Sequence, residues 1–146
     1  MLQGGMTQHA LRTANAAFYA AFEQLDLESM TNLWATSVQV SCVHPGWDLV
    51  LGYEAVMQSW KGIFEGTGEI HFRSEDLQVT AGASMGWVVS REILTTSVQS
   101  TPLENTLSAI NTFVLESGVW RIAHHHAAPL LAGKPRSARR SDVVLH

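Results

Sequence analysis

The sequence contains one cysteine and no long apolar run. Cys42 therefore has no partner for an internal disulfide, and the N-terminal MLQGGMTQHA lacks the charged start and apolar core of a signal peptide. These two absences predict a reducing, cytoplasmic location. No apolar stretch approaches the roughly 20 residues that span a bilayer, so we do not expect this chain to be an integral membrane protein.

Positive charge is scarce outside the C-terminal end. Residues 1–133 carry five lysines and arginines against twelve aspartates and glutamates, a net of −7, whereas residues 134–146 carry four basic residues against Asp142 alone. A body of this charge repels phosphates, which argues against nucleic acid as a partner. We expect a single domain over residues 1–133, large enough to bury a core, and a basic tail over residues 134–146.

Apolar residues recur at helical spacing in three segments, which predicts three helices. Thr7 is the expected N-cap of the first helix and Asp26 that of the second. Gly66 and Gly68 end the third. The apolar positions that carry this spacing are Leu11, Ala14, Phe18, Phe22 and Leu25, then Leu27, Met30, Leu33 and Trp34, then Tyr53, Val56, Trp60 and Ile63.

After the third helix, apolar residues alternate with polar ones and predict four long strands. In EIHFRSEDLQVT the alternation changes phase, which indicates a β-bulge, and ESG at residues 116–118 is a tight hairpin connection. Helices followed by a meander of strands predict an α+β domain with its helices on one face of an antiparallel sheet.

The alternation also predicts which side chains face the core. The inward series are Met85, Trp87, Val89, Arg91 and Ile93, and then Leu107, Ala109, Asn111, Phe113 and Leu115. The opposite face carries Val88, Ile110 and Val114, so it is apolar as well. An apolar sheet face without a helix over it usually meets another chain, which predicts a homodimer through this open face.

Three stretches, FYAAFEQLDLESMTNLWA, VSCVHPGWDLVLGYEAVMQSWKGIF and ESGVWRIAHHHAAP, resemble the SnoaL-like branch of the nuclear transport factor 2-like superfamily. They are also similar to the association domain of calcium/calmodulin-dependent protein kinase II. The resemblance covers almost all of Thr7–Pro129 and implies a cone-shaped fold, with three helices packed on a strongly bent antiparallel sheet and a pocket at its open end. Isomerases, dehydratases, cyclases and oligomerisation modules share this scaffold, so the fold leaves the function open.

The steroid isomerases of the superfamily use a tyrosine on the first helix and two aspartates on strands. The resemblance places Phe18 at the tyrosine position, with Tyr19 one residue away, and Cys42 at the position of the catalytic base. Residues 77–141 contain no aspartate to supply the third member. A steroid-isomerase mechanism is therefore not expected.

The polar and aromatic residues expected at the pocket are Cys42, His44, Trp47, Trp60, Arg91, Asn111, His124 and His126. His44 and His126 are the catalytic candidates, because an imidazole in an apolar pocket can act as a general acid or base. Alternatively, His44 fixes the turn at Pro45-Gly46. Arg91 requires an anion, which could be a ligand carboxylate or a carboxylate of the fold such as Glu54 or Glu69.

Three histidines follow one another in WRIAHHHAAP. Strand alternation places His124 and His126 on the pocket face with Ile122, and His125 on the other face. With His44 the two inward rings could hold zinc, but no ligand carboxylate can be placed beside them, so we expect neither a metal nor a cofactor. A Cys42–His44 dyad is disfavoured because the two residues lie ~6.5 Å apart along a strand.

These patterns predict a protein that binds a small, partly apolar molecule with a carboxylate or carbonyl. As an enzyme it would be a cofactor-independent isomerase, dehydratase or cyclase that uses a pocket histidine. The competing hypothesis is a non-catalytic association or ligand-sensing module, and the sequence does not separate the two.

Overall fold

The computed structural model describes residues 2–130, which form three helices and six strands. The helices are α1 (Leu2–Glu23), α2 (Leu27–Asn32) and α3 (Tyr53–Gly66). The strands are β1 (Ser41–Val43), β2 (Val50–Leu51), β3 (Ile70–Ala81), β4 (Met85–Val98), β5 (Thr101–Glu116) and β6 (Val119–Pro129). The predicted order of elements, and with it the α+β fold class, is confirmed.

The helix boundaries agree with the capping signals in two places and differ in one. Asp26 caps α2, since its carboxylate accepts a hydrogen bond from the backbone N–H of Ser29 at 3.1 Å. Helix α3 ends at Gly66 as expected. Helix α1 begins at Leu2, so Thr7 lies inside the helix and is not its cap.

The six strands form one sheet in the order β2-β1-β6-β5-β4-β3. Strands β3 to β6 pair as an antiparallel meander, and β1 joins β6 in parallel. The hairpin between β5 and β6 turns at Ser117 and Gly118, with φ values of 48° and 80°. Both values lie in the left-handed region that tight hairpins require.

A bulge interrupts β3 where the apolar phase changes. The pairing with β4 shifts between Asp76 and Gln78, so the intervening Leu77 has no partner and is exposed. Asp76 lies opposite Ser90 before the bulge, and Val79 lies opposite the buried Val88 after it. The predicted bulge is confirmed, and it keeps both Asp76 and Val79 on the inner face of the sheet.

The helices pack on that inner face and close the core. Leu11 and Phe18 of α1 and Trp60 of α3 are fully buried with Phe113 of β5. Strand β4 passes very close to α1, because a Cβ on Gly86 would lie 2.7 Å from the Leu11 side chain. The absence of a side chain at this glycine therefore allows the helix to approach the sheet.

The predicted orientation of β4 is wrong. Val88, Ser90 and Glu92 are the buried inward residues, and Arg91 is exposed on the outer face. Both faces of this strand are apolar, so alternation alone does not determine which series faces the helices. Val88, which the sequence assigned to the open face, therefore belongs to the core. On the open face, Val89 lies opposite Ile110.

The predicted orientation of the three histidines is also wrong. On β6, Ile122 pairs with Phe113 and His124 with Thr112, so Ala123 is an extra residue that forms a bulge. Beyond this bulge the alternation is reversed. His125 is 1% exposed on the inner face, while His124 and His126 lie on the outer face.

Within the described residues, none of the helices is long and apolar enough to cross a bilayer. The predicted basic tail, residues 134–146, lies outside the part of the chain that the structure describes.

Candidate functional site

A pocket of about 300 Å³ lies between α1, α3 and the inner face of the sheet. Its apolar wall includes Phe22, Ile63, Ile70, Phe72, Leu94 and Leu107. Three titratable side chains, those of His44, Glu92 and His125, also line it. An apolar cavity with a few converging polar groups is the usual form of a small-molecule site.

His44 follows β1 and is 2% exposed. Its Nε2 lies 2.9 Å from the hydroxyl oxygen of Ser59, and that hydroxyl donates to the carbonyl oxygen of Val56 at 2.6 Å. Since the hydroxyl proton is already used, Nε2 of His44 is the donor and Nδ1 carries the lone pair. The ring therefore bonds to α3 and does not fix the Pro45-Gly46 turn. Burial lowers its pKa to about 4, so the ring is neutral at pH 7.

Cys42 contacts His44 although the two residues are separated by one position. Its Sγ lies 3.5 Å from Nε2 and 3.7 Å from Nδ1, because β1 ends at Val43 and the His44 ring turns back over the thiol. The predicted separation is therefore wrong. Burial raises the pKa of the thiol to about 12, which keeps it protonated. A nucleophilic thiolate is not formed here.

His125 forms the inner end of the pocket. Its Nδ1 lies 2.6 Å from Oδ1 of Asn111, whose amide nitrogen donates to Oδ1 of Asn15 at 2.7 Å. Burial, and then the neighbouring His44, lowers the pKa of His125 to about 3. The two imidazole rings have centroids 6.4 Å apart, so one small ligand can contact both.

Glu92 is the functional candidate that the sequence reasoning missed. It is 3% exposed, and its Oε1 accepts a hydrogen bond from the hydroxyl of Tyr19 at 2.6 Å. Burial raises the pKa of the Glu92 carboxyl, and burial together with Glu92 raises that of Tyr19. An acidic residue within an apolar strand could have identified Glu92 in the sequence. The predicted orientation of β4 was wrong, however, and assigned Glu92 to the outer face.

The predicted aromatic and amide residues divide between pocket and core. Trp47 is 48% exposed at the edge of the pocket and packs edge-on against His44 at 4.9 Å. Trp60 packs on the same ring at 4.6 Å and is fully buried. Asn111 faces inward as predicted, but it bonds to His125 and Asn15.

Three predicted site residues lie on the outer face of the sheet. Arg91 is paired with Glu75 at 3.6 Å on the outer face. Nδ1 of His124 lies 2.7 Å from the hydroxyl oxygen of Ser41, and the rings of His124 and His126 are 5.8 Å apart on that face. Across residues 2–130, no three side chains of His, Cys, Asp or Glu converge as a metal ion requires.

The model of the SnoaL-like domain family matches residues 11–132. A proposed dehydratase of the nuclear transport factor 2-like family from Streptomyces avermitilis is 28% identical with a TM-score of 0.83, over 88% of this chain and 99% of that one. A proposed calcium/calmodulin-dependent protein kinase type II association domain from Thiobacillus denitrificans is 30% identical with a TM-score of 0.74, over 82% of this chain and 94% of that one.

A curated relative, the F-box protein SKIP8 of Arabidopsis thaliana, is 29% identical over 86% of this chain. The chain spans about half of that relative, 52% of its length.

Proposed function

The chain belongs to the SnoaL-like domain family, and we propose that it is a cofactor-independent enzyme that moves protons on a small, partly apolar molecule. The observation that carries this proposal is an acid and two bases in one apolar pocket. His44 and His125 present unprotonated rings at neutral pH, and Glu92 is the acid. Groups whose environments move their pKa values apart are typical of acid–base catalysis.

The proton on Glu92 has a defined position. Because Oε1 accepts from Tyr19, the proton of the neutral carboxyl is on Oε2. Burial shifts the carboxyl toward this neutral form, and in that form Glu92 can donate a hydrogen bond and release its proton to a substrate oxygen.

The ligand class follows from the charge of the pocket. No lysine or arginine is among the described residues that line it, and its histidines are neutral. Arg91, the cation expected to hold a carboxylate, lies on the outer face. A carboxylate would lose its hydration here without gaining a positive partner, so an uncharged hydroxy-carbonyl compound is the better ligand.

For such a compound the proposed reaction is the loss of water. A histidine takes the proton on the carbon next to the carbonyl, a carbon–carbon double bond forms, and the bond to the hydroxyl breaks as Glu92 protonates the departing oxygen. The proton on the imidazole then returns to Glu92 through solvent. The similarity to the Streptomyces avermitilis protein supports this reaction type.

The test uses a β-hydroxy ketone with a short alkyl chain in D₂O. Wild-type protein should exchange the hydrogens next to the carbonyl, seen by NMR, and form the conjugated enone, seen by ultraviolet absorbance. Glu92→Gln should lose enone formation by at least about 100-fold but retain exchange, because general acid catalysis contributes roughly 10²–10⁴-fold.

The matched control is His9→Ala, an exposed histidine of α1 away from the pocket and from the sheet, which should behave as wild type. Absence of both exchange and enone across a series of chain lengths would overturn the enzymatic proposal and favour a ligand-sensing module. Loss of enone in His9→Ala as well as in Glu92→Gln would overturn the assignment of the pocket.

We further propose that the protein forms a homodimer through the outer face of the sheet. Met85, Val89, Ile110 and Val114 bring apolar side chains to this face, and the similarity to an association domain supports oligomerisation. Light scattering should give twice the 16.0 kDa chain mass. Ile110→Glu should give a monomer, while Leu103→Glu, elsewhere on β5, should not; a wild-type monomer would contradict the proposal.

Two further proposals concern the chain as a whole. A domain over residues 1–133 with a basic tail over 134–146 is supported by the family match, which ends at residue 132. A cytoplasmic location is supported by the single cysteine of the sequence, Cys42, which has no partner for an internal disulfide.

A further inference from the structure

A row of polar side chains crosses the core from the pocket to the far edge of the inner sheet face. His125 Nδ1 lies 2.6 Å from Asn111 Oδ1, and Asn111 Nδ2 donates to Asn15 Oδ1 at 2.7 Å. Asn15 Nδ2 donates to Asp76 Oδ1 at 3.1 Å. His125, Asn111 and Asn15 are each 1% exposed, so protein groups and not water determine these bonds.

The carboxylate at the end of the row determines the direction of every bond. An ionised Asp76 only accepts hydrogen bonds, so the amide group of Asn15 must turn its nitrogen toward it. The oxygen of Asn15 then faces Asn111, which must turn its own nitrogen toward Asn15. Its oxygen is left facing His125.

The same logic determines the proton on the imidazole. Because Asn111 presents an oxygen, Nδ1 of His125 must carry the hydrogen, and Nε2 keeps the lone pair. Nδ1 is the only ring nitrogen of His125 with a hydrogen-bond partner among the described residues, and the ring lines the pocket. The lone pair is therefore free to take a proton from a ligand.

We propose that Asp76 is a positioning residue that acts on His125 through Asn15 and Asn111, and that it selects the tautomer with the basic nitrogen free for the ligand. Its effect on turnover rests on the proposed function; its effect on the tautomer does not. Asp76 also provides negative charge at the far end of the row, where it stabilises an imidazolium that forms during the reaction.

Two bulges make the row continuous. The bulge at Leu77 keeps Asp76 on the inner face opposite Ser90, and the bulge at Ala123 turns His125 inward opposite Asn111. Asp76 is held from both sides, by the Ser90 hydroxyl at 3.3 Å and by the Arg12 guanidinium at 3.5 Å. Without either bulge, one end of the row would face away from the core.

The test reads the tautomer directly. In protein labelled with ¹⁵N-histidine, proton–nitrogen spectra at neutral pH distinguish an imidazole protonated at Nδ1 from one protonated at Nε2. The His125 signals are identified by their loss in His125→Ala. Wild type should show the Nδ1–H form alone, and an Nε2–H form would overturn the proposal without any further variant.

The decisive variant is Asp76→Asn. An amide at position 76 can accept or donate, so both amides in the row can reverse and the Nε2–H tautomer should appear as a second population. Glu75→Gln is the matched control, since it removes the neighbouring carboxylate, which lies on the outer face beside Arg91. It should leave the spectrum unchanged.

A rescue variant separates positioning from a general structural role. Asn111→Asp places a carboxylate next to His125, so the double variant Asp76→Asn/Asn111→Asp should return to the pure Nδ1–H form. If Asp76→Asn does not fold, Asp76→Ser, which also accepts and donates, should give the mixed population. A folded Asp76→Asn with only the Nδ1–H tautomer would overturn the proposal, whether or not wild type turns over any substrate.

Discussion

Two neighbouring residues of one type, His125 and His126, lie on opposite faces of β6. His125 is 1% exposed, bonds to Asn111 and lines the pocket, and burial lowers its pKa to about 3. His126 is exposed on the outer face, opposite Ile110. The contrast shows that the role of a histidine here depends on the face of the sheet it occupies, which one bulge determines.

Removing each ring in turn should give the largest difference between the two faces. His125→Ala leaves a cavity and an unpaired oxygen on Asn111, so the free energy of unfolding should fall by about 3 kcal/mol. His126→Ala removes an exposed ring and should change it by less than about 0.5 kcal/mol. Urea unfolding of both variants measures the difference, and equal losses would contradict the orientation of β6.

The second expected difference between the two faces of the sheet is the pH dependence of stability. The folded pKa values of His44 and His125 are about 4 and about 3, below the 6.5 of the free side chain, so the unfolded chain binds more protons below pH 6.5. Their contribution to stability is present above pH 6.5 and is lost as the pH falls. Each ring should contribute up to ~1.4 kcal/mol per pH unit.

Urea unfolding at several pH values between 6.5 and 4.5 measures the change of the unfolding free energy with pH. These limits are the usual pKa values of the His and Glu side chains. His125→Ala should reduce the slope by up to ~1.4 kcal/mol per pH unit, since one buried ring is lost. His126→Ala should leave it unchanged. A slope of wild-type size in His125→Ala would mean that the buried ring does not exclude its proton.

Glu92 acts on stability in the opposite direction. Its folded pKa is raised, so the unfolded chain releases this proton first and stability falls as the pH rises above 4.5. Glu92→Gln keeps an oxygen for Tyr19 and removes the ionisation. The variant should therefore show a steeper rise in stability from pH 4.5 upward than wild type, measured by the same titrations. A slope shallower than that of wild type would contradict a raised pKa.

Much of the fold could be predicted because several independent signals agreed. Asp26 caps α2, Gly66 ends α3, and the apolar phase change in β3 corresponds to the bulge at Leu77. Each of these is a local signal with one physical cause. Their agreement with a known family pattern made the fold class predictable.

The site could be predicted only in part, because strand phase depends on contacts far apart in sequence. The bulge at Ala123 has no glycine or other local signal, and it exchanged the roles of His125 and its neighbours. On β4, two apolar faces left the phase undetermined, so Arg91 was placed inside and Glu92 outside. His44 lies at the pocket, and Cys42 and Val40, two and four residues before it in sequence, are both fully buried.

The smallest effect is expected at Arg91, which sharpens the contrast on β4. Arg91 pairs with Glu75 at 3.6 Å, and both side chains are more than 40% exposed, so solvent screens the pair. Arg91→Ala should lower the free energy of unfolding by less than about 0.5 kcal/mol, in line with exposed ion pairs. It should also leave turnover of the β-hydroxy ketone unchanged, because Arg91 lies on the outer face and is not among the described residues that line the pocket. Glu92, the next residue along the strand, should show the reverse, with loss of enone formation in Glu92→Gln. A loss of turnover in Arg91→Ala would mean that the outer face takes part in the reaction and that the inner pocket alone does not account for it.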